Sequence, residues 1–157
     1  MGKLFGTDGV RGVATDKLTP ELAFQIGQSA GVWLMNQPDL PKAVVVGRDT
    51  RRSGPMLGSA LVAGFCSTGV DADALGILPT GAVSYLARTG EYGMGVVISA
   101  SHNPAPDNGI KLLADTGTKV KPEVEEFIES HLGSGMESRP TGERVGRLSQ
   151  DKGAIET

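Results

Sequence analysis

The sequence predicts a three-layer α/β/α domain built on a mostly parallel, mixed sheet. Three observations point there. Short β-branched apolar runs alternate along the chain with segments whose apolar residues recur at helical spacing, as in strands joined by crossover helices. The 23 glycines fall between those runs and not in one cluster, which suits tight turns at loop ends. The 157 residues are enough to bury one hydrophobic core.

The elements follow in order. "FGTDGVRG" at 5–12 reads as a turn-rich N-terminal hairpin. Thr19-Pro20-Glu21 supplies a capping oxygen, a first-turn proline and an early acid, the start of a helix. Leu22, Ile26, Ala30 and Trp33 mark its buried face, and Pro38 lies beyond its end. "KAVVVG" at 42–47 is a buried strand. Ser53 can cap a second helix, with Leu57, Leu61 and Phe65 facing inward and Gly69 as its stop. Residues 70–77 alternate as a strand, Thr80 to Arg88 form a short helix ended by Gly90, and "GMGVVIS" at 93–99 is the next apolar strand. Residues 109–115 and 118–120 suit a hairpin about Asp115-Thr116-Gly117, adding an antiparallel strand at an edge. Pro122 opens a last helix with Val124, Phe127, Ile128 and Leu132 on one side. The domain is expected to span 1–133. The polar, glycine-rich stretch 134–157 reads as a linker or an exit toward a second domain.

Composition narrows the setting. A net charge of −3 gives no reason to expect nucleic acid or an anionic membrane as partner, so any basic site has to be local. No apolar run reaches membrane-span length, and the N-terminus lacks a signal-peptide core. The one cysteine, Cys66, has no internal partner and suits a reducing compartment. A cytoplasmic protein is expected. Oligomeric state is not encoded in any of these features.

In open parallel sheets ligands bind beyond the carboxyl ends of the strands. Three polar loops fall there: Arg48 to Arg52, Pro79-Thr80, and Ser99 to Asn108. Ser101 and Asn103 suit turn chemistry, with short polar side chains bonding loop backbone. His102 suits a surface position, and Lys111 a solvated place on an alternating strand. Ser101 beside His102 is no hydrolase triad, because adjacent loop residues do not reach each other with the needed geometry. With two histidines and one cysteine the chain offers no metal-ligand set of its own. Near the start, amides freed by Gly6, Gly9 and Gly12 beside Arg11 suit an anion. The residues alone support a polar, locally basic edge fit for a phosphate.

Four stretches together resemble the α-D-phosphohexomutases: "FGTDGVRG", "VGRDTRRSG" at 46–54, "PTGAVSYL" at 79–86 and "SASHNPAPDNGIK" at 99–111. They lie in the family's order across residues 4–132, and the Ser-His-Asn-Pro loop is highly specific to it. The Phe-Gly-Thr-Asp-Gly opening is most similar to the phosphoglucosamine mutase branch; the phosphomannomutase and phosphoglucomutase branches are the alternatives. The resemblance implies that Ser101 carries a phosphate, gives it to a sugar monophosphate and recovers it from the bisphosphorylated sugar. It implies that Arg11 steadies that phosphate and that His102 and Lys111 handle the attacking hydroxyl's proton, Lys111 as general base. Asn103, Arg48 and Arg51 become candidates for substrate or phosphate contact, with Arg48 and Arg51 equally suited to structural ion pairs. It also implies a Mg²⁺ ion on the Ser101 phosphate.

Two local departures stand out: Gly81 follows Thr80 where the family usually has proline, and Ala105-Pro106 stands where relatives often have aromatic residues. The resemblance covers only the first of the family's four domains. The magnesium carboxylates, the sugar-reading loop and the distal phosphate grip belong to the others. The chain is therefore expected to be inactive alone and to work with those domains. A non-catalytic binding module that kept the fold is the competing expectation.

Overall fold

The computed structural model describes residues 3–150. Six strands and four helices run β1 (Val10–Val13), α1 (Pro20–Met35), β2 (Ala43–Arg48), α2 (Gly54–Cys66), β3 (Asp71–Ile77), α3 (Thr80–Thr89), β4 (Met94–Ile98), β5 (Asp107–Ala114), α4 (Pro122–His131) and β6 (Leu148–Ser149). The strands form one sheet in the order β1-β5-β4-β2-β3-β6. The β2–β3, β2–β4 and β3–β6 pairs are parallel, and β5 is antiparallel to both β4 and β1. The expected mixed α/β architecture is therefore present.

Alternation along the strands divides the core in two. Val44, Val46, Val96, Ile98, Ile110 and Leu112 join the buried faces of α1, α2 and α4. Val45, Val97 and Leu113 join Val83 and Ala87 of α3 on the other side. Thr19 caps α1 as expected, its Oγ1 accepting the Leu22 N–H at 3.0 Å. No described helix is long and apolar enough to cross a membrane.

Four details differ from the sequence expectation. Residues 10–13 are a sheet strand paired with β5, so the antiparallel strand lies inside the sheet and β1 takes the edge. "TKV" makes only an isolated bridge, Leu113 to Lys119, around a tight turn closed by Gly117. Ser53 sits at the α2 N-cap without a capping bond; its Oγ accepts from Asn108 Nδ2 at 2.9 Å instead. Within the polar stretch, a 3₁₀ turn at Gly142–Arg144 and the two-residue β6 fold back along β3, where the Asp71 carboxylate accepts the Arg147 N–H at 2.8 Å.

Candidate functional site

The carboxyl ends of β2 and β4 lie side by side, with Arg48 opposite Ile98. The Asp49 N–H donates to the Ile98 carbonyl at 3.1 Å, so the loops after the two strands leave the sheet together. The second is the Ser101 loop, which turns the chain from β4 into β5.

This loop is held at both ends. Asn108 is fully buried; its Nδ2 donates to Ser53 Oγ and its Oδ1 accepts the Gly109 N–H at 2.8 Å. Asn103 Nδ2 donates to Asp107 Oδ2 at 3.2 Å, and the Asn103 N–H to the Ala100 carbonyl at 3.0 Å. From the loop after β2, Arg51 reaches across. Its Nη2 donates to the carbonyls of Ser101 and Asn103 at 2.9 and 3.0 Å, its Nη1 to that of Pro104 at 2.9 Å, and its Nε to Asp49 Oδ2 at 3.1 Å. Asp49 also accepts the Arg51 N–H at 3.0 Å and the Ser99 hydroxyl at 2.7 Å. Burial pushes the Asp49 carboxyl up, but the Arg51 amide, the Ser99 hydroxyl and the Arg51 guanidinium together outweigh it and hold the group below its ordinary value.

Ser101 itself is exposed and has φ +55°, a left-handed conformation that L-residues rarely adopt. Its N–H donates to Ser99 Oγ at 3.0 Å. His102 beside it is exposed. Arg11 lies opposite Gly109 in the β1–β5 register, and Lys111 lies two residues on, opposite Val97. Arg11 and Lys111 therefore share one face of the sheet. Gly109 has a reason to be glycine: a Cβ there would stand 3.0 Å from Arg11 Cγ and 2.6 Å from the Ser99 carbonyl. The bare backbone lets the Arg11 stem and the Ser99 carbonyl both lie close over Gly109. Among the described residues the Arg11 side chain has one ion-pair partner, Asp8 at 4.0 Å, and the side chains of Lys111 and His102 make no hydrogen bond or ion pair.

Arg48 belongs to the opposite face, because it pairs with Ile98 while Lys111 pairs with Val97. Its Nη1 donates to the Asp49 carbonyl at 3.3 Å and its stem lies over Gly54. There it lines an apolar groove of about 340 Å³ between α2 and the β3–β6 edge. The anion nest expected from the N-terminal glycines does not form at Gly6 and Gly9, whose amides bond each other's carbonyls. That turn is instead pinned from α4 and its approach: Glu129 accepts the Phe5 N–H at 2.8 Å, and Lys119 donates to the Gly6 carbonyl at 3.0 Å. Among the described residues no group of three or more His, Cys, Asp or Glu side chains can hold a metal ion. The described residues do not make a metal site by themselves.

Asp49, Ser99, Asp107 and Asn108 were not singled out from the sequence. Only the Asp-x-Arg spacing in "GRDTR" hinted at the first, since Asp side chains readily accept from the amide two residues on.

Residues 2–139 match the family described as phosphoglucomutase/phosphomannomutase, alpha/beta/alpha domain I. The chain is 52% identical over 159 residues to the phosphoglucosamine mutase of Desulforudis audaxviator, covering 99% of this chain and 35% of that protein. It is 54% identical over 152 residues to the phosphoglucosamine mutase of Syntrophomonas wolfei, covering 94% and 34%. Among solved structures it superposes on a phosphoglucomutase/phosphomannomutase family protein from Burkholderia thailandensis with a TM-score of 0.80 at 28% identity, covering 98% of this chain and 34% of that one. A putative phosphomannomutase from Thermus thermophilus superposes with a TM-score of 0.79 at 27% identity, covering 94% and 32%. The chain thus spans about a third of the length of the curated relatives it matches. With its sequence matched along residues 2–139 and its sheet superposing on those of solved members, the chain belongs to the phosphoglucomutase/phosphomannomutase family and carries its α/β/α domain I.

Proposed function

We propose that this chain is the phosphoserine-bearing part of a phosphoglucosamine mutase, working within a protein of its relatives' length. Such a protein interconverts glucosamine 6-phosphate and glucosamine 1-phosphate. The observation that carries the reading is the presentation of Ser101. It stands exposed at φ +55° on a loop pinned from both sides, on the sheet edge that also bears Arg11 and Lys111. Relatives above 50% identity bearing the phosphoglucosamine mutase name favour that branch over the phosphomannomutases, whose matched structure is 27% identical.

The chemistry suits these residues. A sugar hydroxyl attacks the phosphorus of phospho-Ser101 in line. Its oxygen–phosphorus bond forms as the serine ester bond breaks; its proton passes to Lys111 or His102 and on to the departing Ser101 oxygen. In the return step the Ser101 hydroxyl attacks the other phosphate of the bisphosphorylated sugar, and its proton passes by the same base to the leaving sugar oxygen. Phosphoryl transfer needs placement and charge neutralisation more than covalent help. Arg11 supplies a cation with free donors near the loop. A magnesium ion on the Ser101 phosphate would draw its other ligands from outside the described residues.

Ser101→Ala in the whole protein tests this. Glucosamine 6-phosphate turnover is expected to fall on the order of 10³-fold or more. The melting temperature should change little, because the side chain is exposed. Full turnover in a folded Ser101→Ala protein rejects the reading.

A further inference from the structure

We infer that Asp49 and Arg51 are positioning residues for Ser101, acting through Ser99 in a ring of hydrogen bonds that closes on both peptide groups flanking the serine. The inference rests on the reading of Ser101 as phosphoryl carrier. The ring runs from the Ser101 N–H to Ser99 Oγ at 3.0 Å, and from the Ser99 hydroxyl to Asp49 Oδ2 at 2.7 Å. That same oxygen accepts from Arg51 Nε at 3.1 Å, and Arg51 Nη2 returns to the Ser101 carbonyl at 2.9 Å. Fixing the N–H on one side and the C=O on the other fixes both peptide planes, and with them φ and ψ. The ring thereby holds a serine at φ +55°, a conformation that L-residues rarely adopt. Because Cβ is set by the backbone, the ring also sets where Oγ starts its attack.

The geometry separates this role from a phosphate contact. Arg51 spends donors of Nε, Nη1 and Nη2 on one carboxylate and three carbonyls, and its side chain is only 10% exposed. Its charge is balanced by Asp49 in the same ring. A planar fork is needed to meet three carbonyls and a carboxylate at once, so lysine cannot replace it. Loss of a cation that grips the substrate phosphate would instead appear in KM.

Two measurements on Arg51→Lys, Asp49→Asn and Ser99→Ala test the ring. In the 157-residue chain, amide hydrogen exchange is followed at Ser101 and Asn103, with Val96 and Ile110 as core reporters. All three variants should speed exchange at Ser101 by about tenfold or more, and Arg51→Lys also at Asn103, with the core reporters unchanged. Ser99→Ala removes one hydroxyl from a half-buried site and keeps the fold even where the others loosen it. In the whole protein, Arg51→Lys should lower kcat by roughly tenfold to a hundredfold and leave KM for glucosamine 6-phosphate within about twofold. Unchanged Ser101 exchange in Arg51→Lys and Ser99→Ala overturns the ring. So does an Arg51→Lys protein with kcat near the parent value, or one whose defect lies in KM. The carrier reading is judged separately by Ser101→Ala: exchange can reveal the ring even in a protein where that variant stays active.

Discussion

Ser101, Asp49 and Arg51 show how a residue's role is set by what lies far from it in sequence. The Asp49 carboxyl is held below its ordinary value of 3.8 by Arg51 and Ser99 against the opposing effect of burial. A depressed carboxyl contributes stability that is present above the ordinary value and lost as pH falls through the lower, folded-state value. The gap in thermal midpoint between the parent and Asp49→Asn should therefore be widest near neutrality and close as the pH is lowered below 3.8. Melting curves from pH 7 downward check this, and a gap that stays constant with pH contradicts it. The Ser-His-Asn-Pro loop was legible in the sequence because its residues are contiguous. The role of Arg51 was not, because its partners are the carbonyls of Ser101, Asn103 and Pro104, and a carbonyl leaves no mark in a sequence. Ser53 misled for the same reason: its spacing fits a cap, but buried Asn108, 55 positions on, takes its oxygen.

Helices and strands were legible where the pattern is local. Thr19-Pro20-Glu21 starts α1 as read, and Gly90 ends α3. The strand β1 was not legible, since "VRGV" has no alternation to announce it and its pairing lies with β5 some hundred residues later. Glycine at the helix crossing belongs to the same scale. A Cβ on Gly64 of α2 would collide with the Phe24 carbonyl and stand 2.7 Å from the Gln28 amide of α1. In an isolated helix Gly→Ala gains about 1 kcal/mol. Here the collision is with backbone, and forcing a packed contact apart costs about 1–3 kcal/mol or more. Gly64→Ala should therefore be destabilising and lower the melting temperature by several degrees. Gly81→Ala, in the first turn of α3 with nothing within 4 Å of the added carbon, should instead be neutral or stabilising by up to about 1 kcal/mol. Thermal denaturation of both variants checks the contrast; a stabilised Gly64→Ala contradicts the close helix crossing.

At the scale of the whole molecule, Arg11 and Lys111 share one face of the sheet in a chain whose net charge is −3. Among the described residues the Arg11 side chain has only a 4.0 Å ion pair with Asp8, and the side chains of Lys111 and His102 make no hydrogen bond or ion pair. An added phosphate ion should bind there and raise the melting temperature by mass action, more than chloride does at matched ionic strength. Arg11→Ala should lose most of that gain, and an equal response from the variant would place the anion elsewhere. The chain spans about a third of the curated relatives, so this edge is proposed to meet the rest of the protein and its substrate. Ser101 is proposed to carry the phosphoryl group between the two sugar positions. The most direct test is to incubate the whole protein with a radiolabelled hexosamine 1,6-bisphosphate and locate the label by peptide mass mapping. Label on Ser101 that chases into glucosamine 6-phosphate on adding unlabelled glucosamine 1-phosphate is the predicted result; a folded protein that turns over substrate with Ser101 unlabelled contradicts the account.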